Sequence, residues 1–188
     1  VKTFGFVQQV LNIQMPVRLY LMQNTPGGLV DVVGSNPPAI KAGNSLLSNY
    51  TPQDLAFVTG RHLAYYRPEH FVRRLLTSHT ELGMVLRAGL RLAGIIPADP
   101  QVDAWAQQIG QSLSATQLDA LRQVARRFVD AGGSTDIKRW MQNVELTAIR
   151  AGFLVCNDLE TAARMIQQLP PDGSVDLPPK DKIKELVL

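Results

Sequence analysis

Two patterns predict an α+β fold for this chain, predominantly α-helical with a small antiparallel β-sheet near the N-terminal third. VRLYLM (17–22), LVDVV (29–33) and AIKAG (39–43) are short apolar stretches separated by proline and glycine turns. From Thr51 onward apolar residues recur at three- and four-residue spacing between helix-capping signals. With 188 residues and 45% hydrophobic content, the chain can bury a core of its own.

Residues 3–13 have apolar positions at helical spacing, so 1–15 read as an incoming helix or linker that Met15-Pro16 breaks. Thr25-Pro26-Gly27-Gly28 and Asn36-Pro37-Pro38 separate the three strands; proline presets φ and glycine accepts positive φ. Both connections are too short for a parallel crossover, so antiparallel pairing is expected. Thr51 is placed to cap a helix with Pro52 at its first position and Asp54 in its first turn. That helix is expected to cover the sheet through Leu55, Val58 and Leu63. Pro68 and Glu69 start a second helix, and Ser78 or Thr80 caps a third that Pro97 ends. Helices follow over 99–113 and 114–131. Ser134 or Thr135 caps a long one through about Val155, and Asp158 caps the next. These elements make one domain over 16–169, followed over 170–188 by a linker with Pro170, Pro171 and Gly173 and a terminal element. Both ends read as cuts from a longer protein.

Several functions are excluded at this level. Nineteen basic against 16 acidic residues give a net charge of +3, and no run of Lys or Arg exceeds two. No phosphate-tracking stripe exists, so nucleic acid is not an expected partner. No apolar stretch reaches the roughly 18 residues of a membrane span. The single cysteine, Cys156, excludes an internal disulfide and reads as a small buried hydrophobe, compatible with a cytoplasmic setting. No GxSxG elbow or GxGxxG loop occurs. His62, His70 and His79, eight and nine residues apart, match no metal motif and read as partly exposed helix histidines.

The segment LAFVTGRHLAYYRPEH, residues 55–70, resembles the active-site helix of gluzincin metallopeptidases. In that family HExxH places two zinc-binding histidines on one helix face with a general-base glutamate between them. Here Arg61 and Tyr65 stand in the ligand places and His62 in the place of the base. Glu145 opens NVELTAIRAGF, which resembles the family's second helix, ExxADRxG; Glu145, Ala148, Arg150 and Gly152 fit, whereas Ile149 replaces the aspartate. The order of strands, apolar turn and helices over about 16–165 is similar to the heat-shock and CAAX-processing membrane peptidases.

The resemblance implies a scaffold without its metal, without cofactor and without catalytic residues. Arg61, His62, Tyr65, Glu145 and Ile149 would then be a vestigial site, with Arg61 paired to Glu145. On that pairing, Arg61→Ala is expected to destabilise more than Glu145→Gln. The implied work is binding a protein or peptide partner, or structural support within a larger helical-repeat protein of the tetratricopeptide type. Trp105 and Trp140 are candidate partner surfaces. Tyr65 and Tyr66 are either core or the lining of a residual cleft. Two rival readings are a metal-dependent hydrolase gathering His62, Glu145 and His70 or His79, and a plain helical-repeat scaffold.

Overall fold

The structure is a computed structural model that describes residues 2–24, 27–169 and 175–187. Thr25 and Pro26 of the first predicted turn, and Pro170, Pro171 and Gly173 of the predicted linker, lie outside these. The elements are α1 (Lys2–Val10), β1 (Arg18–Met22), β2 (Leu29–Val32), β3 (Ala39–Gly43), α2 (Ser45–Ser48), α3 (Pro52–Ala64) and α4 (Pro68–Leu75). They continue with α5 (His79–Leu92), α6 (Pro100–Gly110), α7 (Ala115–Asp130), α8 (Ile137–Cys156), α9 (Leu159–Gln167) and α10 (Pro179–Lys184). Helix outweighs strand 61% to 8%, so the fold is α+β and mostly helical. Two compact units emerge: residues 1–75 with 141–188, and residues 76–140.

The sheet departs from the expected antiparallel arrangement. Its order is β1-β3-β2, with β2 antiparallel to β3 but β1 parallel to β3. The connection from β1 to β3 needs no crossover helix, because β2 itself is the return strand. Leu19, Ile40 and Asp31 share one register row, and Tyr20, Lys41 and Val30 the next. Since side chains alternate between faces, Asp31 lies on the same face as buried Ile40.

In the first unit α3 is built as its sequence demands. Thr51 accepts from the Asp54 backbone, Asp54 reaches back to the Thr51 backbone, and Pro52 fills the first helical position. Leu63 and Tyr66 join Phe4, Val7 and Ile40 in one core cluster, with Leu19 and Leu29 packed against it. Val58 faces the other way, against a second cluster of Phe57, Ile149, Cys156, Ala162, Met165 and Ile166. Of the three residues expected on the sheet, Leu63 meets Ile40, whereas Val58 serves the α8–α9 side.

Two glycines set the α3–α8 crossing. A Cβ on Gly60 would lie 2.9 Å from the Ala151 carbonyl oxygen, and one on Gly152 would lie 2.8 Å from that of Phe57. The backbones touch where no side chain fits. This close approach brings Arg61 and Glu145 within reach of one another.

The second unit stands on Ala88, Val102 and Ala106, with half-buried Trp105 packed against them. Arg87–Asp99 and Arg91–Asp103 pairs, 2.7 and 2.6 Å, join α5 to α6. Ser78 caps α5, and a Ser114–Gln117 capping box opens α7. Asp136, rather than Ser134 or Thr135, meets the first turn of α8, accepting from the Arg139 backbone at 2.9 Å. Trp140, the last residue of this unit, is half-buried. Among the described residues no helix is long and apolar enough to cross a membrane.

Candidate functional site

Glu145 is the most enclosed carboxylate of the described residues in the first unit, 1% exposed on α8. Arg61 grips it with two nitrogens: Nη2 lies 2.8 Å from Oε1 and 3.0 Å from Oε2, and Nε is 3.3 Å from Oε1. The Tyr65 hydroxyl donates to Oε2. Lys182, on α10 and itself buried, places Nζ 3.3 Å from Oε1. Arg61 and Tyr65 reach one carboxylate because residues four apart share a helix face. Burial works to raise the Glu145 carboxyl. The charge of Arg61, the Tyr65 hydrogen bond and Lys182 outweigh it and hold the group below its ordinary value. Burial and the neighbouring carboxylate push the Tyr65 phenol far up, so it remains a protonated donor.

The next face of α3 carries a second cluster that the sequence reading missed. His62 Nε2 lies 2.7 Å from Asp31 Oδ1, and the Tyr66 hydroxyl donates to the same oxygen at 2.6 Å. Arg74 on α4 pairs with Asp31 Oδ2 and also sits over the Tyr65 ring, 5.2 Å from its centroid, linking the two carboxylate networks. His62 is buried, which corrects the partly exposed position expected for it. Burial, reinforced by the charge of Arg61, pushes its pKa down to about 3. The imidazole is neutral and donates Nε2–H.

The signal for Asp31 was present in LVDVV. A strand alternates faces, so an aspartate two residues from core-facing Leu29 must itself face inward and find donors. Tyr65 and Tyr66 are both buried and part company, one to each carboxylate.

Ile149 stays with the apolar cluster of α8 and α9. His70 turns to the Ala64 carbonyl at 3.2 Å, and His79 is exposed. His62 serves Asp31, so the described residues bring no three His, Cys, Asp or Glu together around a metal-sized point. The Asp31 cluster opens on a cavity of about 530 Å³ beside the β2 edge, lined by Met15, Val33, Pro37, Tyr66, Phe71 and Arg74.

Both clusters make stability depend on pH in the same direction. A folded carboxyl held low contributes stability above its unfolded value, which is lost as pH falls through the folded one. Buried neutral His62 must gain a proton on unfolding anywhere between about 3 and 6.5, so acid favours the unfolded chain there too. The urea midpoint is expected to fall from pH 7 to pH 4, and His62→Gln to flatten the part above pH 5. A midpoint independent of pH across that window would contradict the assignment.

Comparison with protein-family models, with curated proteins and with solved structures finds no match for the chain.

Proposed function

We propose that the first unit is a gluzincin-like scaffold whose metal has been exchanged for an internal cation, and that it binds protein instead of cutting it. The observation that supports this most is the grip of Arg61 on Glu145, at the positions where the resemblance places a histidine ligand and the third metal ligand. Zinc needs ligands with free lone pairs, and a guanidinium has none. Tyr65, held protonated, is a donor to Glu145 as well. Lys182 adds positive charge beside the same oxygens. These residues do not fit a zinc ion.

What such a scaffold keeps is a binding surface. β1 and β2 are the sheet edges, and an edge strand accepts an extended peptide through its backbone groups. The cavity beyond β2, with Val33 97% exposed at its rim, would receive an apolar side chain of that peptide. The setting this suggests is a structural or interaction module of a larger cytoplasmic protein.

Elemental analysis of the purified chain is expected to find well under one zinc per molecule, with no chelator-sensitive cleavage of casein. Stoichiometric zinc, or such cleavage, would overturn the proposal. Displayed extended peptides are expected to enrich on the chain and to lose binding on Val33→Asp. Failure to enrich any would remove the peptide-binding half.

A further inference from the structure

The strand β1 pairs with β3 along one edge only. Arg18 N donates to the Pro38 carbonyl at 2.9 Å, so Arg18, Tyr20 and Met22 turn their backbone groups toward β3. Leu19 and Leu21, one residue out of step, turn theirs the other way. Among the described residues neither has a hydrogen-bond partner for its outward N–H or C=O. An unpaired strand edge of this kind is a template for an extended segment.

The two faces beside that edge differ in chemistry. Arg18, Tyr20 and Met22 stand on the face away from the core, and Lys41 lies beside Tyr20 in the same register row. Arg18, Tyr20, Val32, Ala39 and Lys41, with the 35–37 turn, line an open concavity of about 530 Å³. It exists because Ala39 carries only a methyl group while its larger neighbours rise around it. Both cations are exposed and neither has an ion pair among the described residues. No described carboxylate lines the concavity. The other face of the edge is apolar: Leu19 packs toward the core, and Leu21 is 47% exposed.

A strand laid along β1 sends alternate side chains to these two faces. One set meets Arg18 and Lys41 beside the Tyr20 ring, and the other lies next to Leu21. Carboxylates complement the first face, because opposite charges on neighbouring strands attract and like charges repel. Aliphatic groups complement the second. A second copy of this chain does not fit, since antiparallel pairing through β1 would gather both sets of Arg18 and Lys41 on one face.

We infer that the β1 edge binds an extended acidic segment of a partner protein, in which Asp or Glu alternates with aliphatic residues. This rests on reading the sheet edges as peptide-binding, and it fixes which edge is used and which side chains that edge selects. The site is separate from the cavity beyond β2.

The probe is a fluorescein-labelled octapeptide alternating glutamate with valine, titrated by anisotropy into the full chain. Two counterparts carry glutamine or lysine in place of glutamate. At low salt the glutamate peptide is expected to bind about tenfold more tightly than the glutamine one, and the gap to shrink at high salt. On a chain carrying Arg18→Glu and Lys41→Glu the order is expected to reverse in favour of the lysine peptide. Both positions are exposed, so this variant keeps the fold, which circular dichroism checks. Leu21→Pro removes an outward N–H that no described residue uses, and is expected to abolish binding. Equal binding of the glutamate and glutamine peptides would overturn the inference and leave the edge-strand reading standing. Binding of none of the three would remove both. Tighter binding of a single-stranded thymidine octamer would assign the two cations to phosphate and overturn the inference as well.

Discussion

Glu145→Gln is expected to destabilise the first unit by about 3–5 kcal/mol, because it removes one partner from a buried ionic cluster and leaves the rest in place. Buried Lys182 loses the carboxylate that accompanies it, and the guanidinium of Arg61 faces a neutral amide. Arg61→Ala is expected to cost less, about 1–3 kcal/mol. Lys182 and Tyr65 still attend Glu145 in that variant, and the Arg61 side chain is 23% exposed and partly hydrated already. This ordering is the reverse of the one expected from Arg61 and Glu145 alone, and Lys182 is the reason. Urea midpoints at pH 7, read with an unchanged denaturant slope, give both values directly. A larger loss in Arg61→Ala than in Glu145→Gln would show that Lys182 does not share the carboxylate.

Gly152→Ala should cost about 1–3 kcal/mol, and Gly60→Ala a similar amount, through overpacking at the α3–α8 crossing. The first atoms a new methyl meets are carbonyl oxygens of the opposing helix, at 2.8 and 2.9 Å, and those cannot turn aside as a side chain would. Relief requires the helices to part, which also lengthens the Arg61–Glu145 contact. Gly89 is the control, since a Cβ there would meet only a Leu121 methyl at 3.7 Å. Alanine at Gly152 with a wild-type midpoint would mean the two helices are not in backbone contact.

Much of the helical framework could be read directly because helix ends announce themselves locally. Thr51, Ser78 and Asp158 cap α3, α5 and α9 by accepting backbone hydrogen bonds within their own first turns, and no tertiary knowledge is needed to see that. The pairing of Arg61 with Glu145, 84 residues apart, was expected only through the resemblance to the two peptidase helices, and no local signal in the sequence joins the two residues. Strand order was not legible. Pairing is a long-range choice, and the short connections that argued against parallel neighbours carry no trace of β2 serving as the return. Lys182 was illegible for a different reason. A lysine among Pro179, Asp181 and Lys184 looks solvated, and only the tertiary position of α10 puts it next to Glu145. Asp31 lies between these cases, visible from strand alternation once the inward face is known.

The neighbouring positions of Arg61 and His62 fix the azimuth of α3. Arg61 and Tyr65 answer a carboxylate on α8, while His62 and Tyr66 answer one on β2, in directions about 100° apart around the helix axis. Turning the helix to improve one set withdraws the other. Sliding it by one turn would bring Phe57 and Val58 to one pair of charges, or Tyr65 and Tyr66 to the places of Arg61 and His62. Neither alternative supplies a cation from α3 to Glu145, which would keep only Lys182. A single residue inserted ahead of Arg61 would rotate both pairs off their partners at once, so the helix is keyed like a shaft in two slots. The scaffold accepts one rotational setting of α3 and has no neighbouring setting into which it can relax.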